Sequence, residues 1–299
     1  MIKRVFLFVA VNVLVLVTIS IVLQVLGIRP YLTAYGIDYQ ALMAFCLVWG
    51  MGGAFISLGL SRIMAKWMMG VQLVDPAKAE GELGDLVRTV HRLATSANLP
   101  AMPEVGIYDS PEINAFATGP TKARALVAVS TGLLGRMSQR QMEGVLSHEV
   151  AHIANGDMVT MTLVQGVVNA FVMFFARVIA FAVSQNVKEE SRRTVNFMVT
   201  MVLEIAFSLL GAMVVAYFSR WREFRADAGG AKLAGSASMI DALKALKRSI
   251  ETIDVEAHAS VATLKISGQS GGLMALLATH PPLEERIAKL ENNGHGGIE

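Results

Sequence analysis

His148-Glu149-Val150-Ala151-His152 has the form HExxH. On an α-helix, residues four apart stand one above the other, so both imidazoles point the same way and can take adjacent corners of a metal tetrahedron. Glu149, about 100° round the helix from His148, is turned to reach a water on the metal rather than the metal itself. A Lewis acid with a general base beside it is the arrangement that metal-dependent proteases use.

The flanking residues give this helix its ends. Ser138-Gln139-Arg140-Gln141 is a capping box, Met142, Val145, Leu146, Val150 and Ile153 supply an apolar face, and Asn155-Gly156 breaks or bends the helix just past His152. A catalytic zinc takes three protein ligands and keeps one position open. Cys46 is the only cysteine and lies in an apolar stretch, so an intrachain disulfide is impossible and the metal must be held by His and carboxylate oxygen. The candidate third donors are Glu223, Asp227, Glu251, Glu256, His258 and His280.

Composition sets these residues in a membrane protein. Hydrophobic residues make up 54% of the chain and charged residues 17%, with a mean hydropathy of +0.50. The formal net charge of +2, with no basic run, gives no support to nucleic-acid binding. Val5–Ile28 and Tyr39–Ser61 carry no charge, and each is long enough to cross about 30 Å of hydrocarbon. Lys3 and Arg4 precede the first span and Arg62 and Lys66 come after the second, while the turn between them holds only Arg29 as a cation. The positive-inside rule therefore places the N-terminus, and the chain beyond Arg62, in the cytosol.

A third apolar stretch, Met158–Val187, is interrupted by Arg177, and a fourth, Thr194–Ser219, by Glu204. The polar turn Lys188-Glu189-Glu190-Ser191-Arg192-Arg193 lies between them. In an antiparallel hairpin Arg177 and Glu204 fall at nearly the same depth with opposite sign, so they are expected to pair or to face a wet cavity together. The ends of that hairpin emerge side by side. This returns Arg220-Trp221-Arg222-Glu223-Phe224-Arg225-Ala226-Asp227 to His148 and puts Glu223 first among the donors. Asp227, one turn later, can accept the outer N–H of a ligand imidazole.

Glu104–Asp109 and Arg124–Ser130 have the pattern of strands, with Asn114-Ala115-Phe116-Ala117-Thr118-Gly119 between them. A small sheet there offers an edge to an extended peptide. Thr279-His280-Pro281-Pro282-Leu283-Glu284-Glu285-Arg286 opens a final helix, from which His280 or Arg286 could donate to an oxyanion. His91 and His258 lack a partner spacing and read as ordinary residues. The tail Asn292–Gly297 reads as disordered. The expected architecture is α+β: a multi-pass helical membrane protein with a cytosolic zincin-like metalloprotease domain, its HExxH helix beside a small sheet. Residues 1–65 form a transmembrane hairpin and 66–157 the first part of the protease domain. Residues 158–218 form a second apolar hairpin, and 219–299 the second part with the third ligand.

In order along the chain, Asn114–Gly119, His148–His152, Glu223–Asp227 and His280-Pro281-Pro282-Leu283 with Glu285-Arg286 resemble the HtpX-type membrane metallopeptidases, relatives of the CAAX prenyl proteases. The resemblance covers essentially the whole chain. It implies a zinc endopeptidase of the bacterial cytoplasmic membrane, one Zn2+ per chain, its active site in the cytosol. Such an enzyme would cut unfolded or misfolded membrane proteins, and sometimes itself, in quality control. Carried over, His148, His152 and Glu223 bind zinc, Glu149 activates the water that attacks the zinc-polarised carbonyl, and Asp227 orients a ligand. Asn114, Ala115 and Phe116 lie along the substrate backbone, and His280 with Arg286 steadies the transition state. Two rivals remain. An intramembrane zinc protease would want its HExxH deep in an apolar helix, whereas here Ser138-Gln139-Arg140-Gln141-Met142-Glu143 precedes it. A silent membrane adaptor with structural zinc would want four closed ligands.

Overall fold

The computed structural model describes residues 17–27, 32–33, 36–260 and 276–295. Most of the first apolar stretch, Val5–Ile28, lies outside these; residues 17–25 are helical. The short antiparallel pair β1 (Leu32–Thr33) and β2 (Gly36–Ile37) leads to helix α1 (Tyr39–Met68). Asp38 starts that helix by accepting hydrogen bonds from the backbone N–H groups of Gln40 and Ala41, both at 3.0 Å.

The sheet has four strands in the order β3-β4-β6-β5: β3 (Gln72–Leu73), β4 (Glu104–Tyr108), β6 (Leu126–Ser130) and β5 (Ala115–Thr118). β4 and β6 run parallel, in register from Glu104↔Leu126 to Tyr108↔Ser130; β3 and β5 are antiparallel to their neighbours. All of β6 is buried, as its unbroken Leu-Val-Ala-Val run requires of a strand covered on both faces. Helices α2 (Gly81–Ser96) and α4 (Gln139–Asn155) share one core with the sheet, in which Leu86, Val90 and Leu93 meet Val127, Val129, Leu146, Val150 and Ile153. Between them, Ser130 caps α3 (Thr131–Arg136) by accepting from the Leu133 N–H at 3.0 Å. The segment Ala115–Thr118, expected only as the link between two strands, is itself the edge strand beside α4.

Among the described residues, three helices are long and apolar enough to cross a membrane: α1, α5 (Asp157–Ser184) and α6 (Glu189–Ala234). The turn between α5 and α6 is shorter than the sequence suggests. Glu189–Arg193 already belong to α6, where Glu189 and Glu190 in the first turn suit the positive end of the helix dipole. The chain then forms α7 (Ser236–Ser260) and α8 (Leu283–His295). Asn292–His295, expected as disordered tail, continue α8.

The contacts divide into two units, and α1, α5 and α6 each contribute residues to both. The first unit takes in the described residues to Gly59 and Thr160–Tyr217. Here α1 and α5 approach so closely that a Cβ on Gly50 would stand 2.6 Å from the Ala170 nitrogen, the close contact small residues permit between membrane helices. Arg177 Nη1 donates to Glu204 Oε1 at 2.5 Å, forming the pair expected from their matched depths. The second unit, Leu60–Val159 and the described residues from Phe218 onward, contains the sheet, α2, α4, α7 and α8.

Candidate metal centre

Helix α4 is held at both ends. Ser138 Oγ accepts from the Gln141 N–H and Gln141 Oε1 from the Ser138 N–H, completing the capping box. At the other end Gly156 adopts a left-handed φ of 72°, which stops α4 and lets Asp157 begin α5. α6 passes close beside it because Gly229 and Gly230 leave room. A Cβ on Gly229 would meet the Ala151 methyl at 2.9 Å, and one on Gly230 the His148 nitrogen at 3.1 Å. Glu223, Asp227 and Gly230 share one helical face, so this close passage brings both carboxylates to the two histidines.

The donor atoms converge. His148 Nε2 lies 3.1 Å from His152 Nε2 and 3.4 Å from Glu223 Oε2, and Glu223 Oε1 lies 3.3 Å from His152 Nε2. Each ring's outer nitrogen meets a carboxylate: His148 Nδ1 is 2.9 Å from Asp227 Oδ1, and His152 Nδ1 is 2.7 Å from Asp157 Oδ2. A neutral imidazole that donates from Nδ1 keeps its Nε2 lone pair for a metal. Two nitrogens and a carboxylate oxygen, all buried and within 4.8 Å of one another, fit a divalent transition-metal ion.

The same contacts set the protonation of the rings. Burial alone would lower His148, but hydrogen bonds to Asp227 and Glu223 outweigh it and push its pKa up to about 9. His152 is likewise raised, with Asp157 and Glu223 overcoming its burial. Arg286 is buried and grips Asp227 with two donors, Nε to Oδ2 at 2.8 Å and Nη2 to Oδ1 at 2.6 Å. Its Nη1 faces Glu223 Oε2 at 3.7 Å. His280 Nδ1 lies 3.0 Å from Glu223 Oε2 on a side chain that is 64% exposed. Arg220, one turn before Glu223, donates to the carbonyls of Leu276 at 3.1 Å and Ala278 at 2.7 Å, tying down the segment that delivers His280.

Glu149 is half-buried and lines a cavity of about 190 Å³ beside His148, Glu223, His280, Arg286 and Asn114. Asn114 commits its backbone to β6, donating to Ser130 Oγ and accepting from the Ser130 N–H. By strand alternation Ala115 and Ala117 then turn their N–H and C=O to the open edge. Of the sequence candidates, His148, Glu149, His152, Glu223, Asp227, His280, Arg286 and Asn114 are therefore gathered at one centre. Phe116 points elsewhere and packs its ring 5.6 Å from that of Tyr108. The side chains of Glu251, Glu256 and His258 lie outside those described. Asp157 is the addition the sequence reading missed; its only signal was a carboxylate five residues past the second histidine.

Comparison with known proteins adds a second line of evidence. Residues 81–293 match the model of peptidase family M48. A protein of Bacillus subtilis (strain 168) named a protease HtpX homolog is 54% identical over 298 residues, covering 97% of this chain and 99% of its own. Protease HtpX of Pasteurella multocida is 49% identical over 288 residues, covering 96% and 97%. Among solved structures, the crystal structure of S. mikatae Ste24p matches in fold with a TM-score of 0.62 at 18% identity. That match covers 97% of this chain and 64% of the other, so this chain spans less than two thirds of that protein's length.

Proposed function

Because this chain belongs to peptidase family M48 as an HtpX-type membrane metalloprotease, we propose that it is a zinc endopeptidase cutting misfolded or damaged membrane proteins at the cytosolic face. The convergence of His148, His152 and Glu223 beside Glu149 carries this reading. The three would hold Zn2+, the ion that two imidazoles and a carboxylate suit in catalytic sites with an open position. When bound, zinc supplies a Lewis acid that polarises the peptide carbonyl and makes water nucleophilic near neutral pH.

The chain's own residues do the rest. Glu149 takes a proton from the attacking water and returns it to the departing amine, which balances the hydrolysis. Asp227 and Asp157 fix the two rings, and Arg286 fixes Asp227 in turn. His280, exposed at the cavity, donates to the oxygen that gains charge in the transition state. Arg286 Nη1, not used by Asp227, adds positive charge on the same side. A substrate strand is held by the outward N–H and C=O groups of Ala115 and Ala117, next to Asn114. Lys3 and Arg4 before the first apolar stretch, and Arg62 and Lys66 in the second unit, support a cytosolic site in a bacterial inner membrane. The chain itself is a further candidate substrate.

The test uses the full chain in detergent, stripped of metal and then given zinc, with an unfolded protein as substrate and Glu149→Gln alongside. Cutting restored by zinc in the wild type, and absent in a variant that still binds about one zinc, is the expected result. Zinc binding with no cutting in either form would favour a structural site.

A further inference from the structure

Tyr108 ends β4, only 5% exposed, and packs among Val71, Leu126, Ala128 and Phe116. It belongs to a row of three residues that crosses the sheet. Tyr108 stands opposite Ser130 of β6 in the parallel register. On the other side of Ser130 is Asn114, which accepts from the Ser130 N–H at 2.9 Å and donates its own N–H to Ser130 Oγ at 3.1 Å. The Tyr108 ring reaches across β6 toward β5, lying 5.6 Å from the ring of Phe116.

The hydroxyl on that ring is an orphan. Tyr108 Oη is buried and closes no hydrogen bond of ordinary geometry with the described residues. A buried O–H left unmade is destabilising, so it needs an acceptor close by. Burial raises the phenol's pKa and the charges of Glu112 and Glu149 add to the rise, while Ser130 and Asn114 oppose it as hydrogen-bonding side chains. Two acceptors are therefore near. Ser130 is already full: a hydroxyl has one donor and two lone pairs, and Ser130 Oγ donates to the Glu112 carbonyl at 2.6 Å and accepts from the N–H groups of Asn114 and Leu133. That leaves the amide of Asn114, an exposed residue that lines the cavity beside Glu149. With the amide oxygen turned to the phenol, the O–H is satisfied and the NH2 group faces the cavity. With the amide reversed, the buried O–H would stay unmade.

We infer that Tyr108 is a positioning residue for substrate: its phenol donates to Asn114 Oδ1 and so turns the Asn114 NH2 group into the cavity, to donate to a backbone carbonyl oxygen of the bound peptide. The inference rests on the protease reading above. A contact with the peptide backbone is made alike before and during reaction, so it acts on substrate binding and leaves turnover unchanged. Without the phenol, the amide presents its N–H or its C=O with little preference, and only one of these meets a carbonyl.

The experiment is steady-state cleavage of one peptide by the zinc-loaded full chain in detergent, with zinc content and thermal unfolding measured on every variant. Tyr108→Phe keeps the ring and its packing and removes only Oη. It should raise KM by about 3- to 10-fold, the usual worth of one hydrogen bond, with kcat, zinc content and unfolding as in the wild type. Asn114→Ala should raise KM at least as far, and adding Tyr108→Phe to it should cost nothing more, because the phenol then has no amide to hold. Asn114→Asp keeps the acceptor for Tyr108 but has no N–H to offer, and should bind the peptide as poorly as Asn114→Ala. An unchanged KM in Tyr108→Phe, a loss confined to kcat, losses that multiply in the double variant, or a wild-type KM in Asn114→Asp would each overturn this role while leaving the protease intact. Absence of any zinc-dependent cutting would overturn the protease reading, and the role of Tyr108 with it.

Discussion

At the metal centre, ionisable side chains share partners, whereas in the apolar hairpin one pair stands almost alone. Glu223 meets His148, His152 and His280 and accepts from Arg222, while Asp227 is held by both His148 and Arg286. Their side chains are 1% and 3% exposed. Arg177 has Glu204, the Met173 carbonyl at 3.1 Å and the Phe45 ring 5.7 Å away, and the pair remains 20% and 35% exposed. The first arrangement fixes positions: two imidazoles cannot turn while each outer nitrogen is engaged. The second only cancels charge. A network whose geometry does chemistry fails when any member is lost, but a pair that only neutralises can be removed whole.

The sharpest way to break this contrast is at Glu149, which belongs to the centre but binds no partner needed to hold it. Glu149→Gln should lower turnover by about 10²- to 10⁴-fold, the usual worth of a general base, with zinc content unchanged. A variant that loses zinc as well would place Glu149 in the metal-holding network instead. The hairpin comes next. Arg177→Leu or Glu204→Leu leaves a lone charge costing at least about 2.5 kcal/mol in a membrane helix and should reduce the amount of protein found in membranes. The double change should restore most of it. If it does not, the pair does more than neutralise, and the contrast fails.

A smaller effect tests whether the two histidines are held alike. Asp157→Ala should weaken zinc binding by about 10- to 100-fold, as losses of such ring partners do, and Asp227→Ala should do at least as much because it also releases Arg286. Equilibrium competition with a chelator reads both. An unchanged affinity in Asp157→Ala would make His152 self-supporting and Asp157 merely the start of α5.

Asp157 also shows what the sequence could and could not reveal. The HExxH helix, its capping box and the return of Glu223 were legible because each comes from spacing on one helix or from the closure of a hairpin. Asp157 lies just past the left-handed Gly156, where the chain leaves the helical path and i, i+4 reasoning ends. β3 has two residues, too few to show a period. β5 was hidden because its half-buried Ala-Phe-Ala-Thr acquires strand character only from pairing with β6. That α7 lines the cavity beside the metal centre with Met239, Ala242, Leu243 and Leu246 was invisible for another reason. Met239, Ala242, Leu243 and Leu246 look like any core stripe until Gly144 lets α7 lie against α4.

The gentlest probe of the centre is pH, and it sets metal binding against metal-free stability. In the metal-free protein, His148 holds its proton up to about 9, against about 6.5 for an unperturbed imidazole. A raised histidine stabilises the fold fully below the unfolded value, and that contribution fades as pH rises through the folded one. The stability of chelator-stripped protein should therefore fall between about pH 6.5 and 9. Zinc uptake must displace that proton and any on the likewise raised His152, so affinity should rise by up to about tenfold per pH unit for each protonated ring over that window and level off above it. The two slopes must oppose each other because the protons that stabilise the metal-free centre, on His148 and on the likewise raised His152, are the ones that zinc displaces. Urea unfolding of stripped protein, paired with zinc titrations at each pH, reads them together. Flat profiles would mean that His148 is already neutral before the metal arrives, with Asp227 fixing only its orientation. Asp227→Asn, which keeps an acceptor but removes the charge, should flatten both slopes together if the carboxylate is what holds the proton.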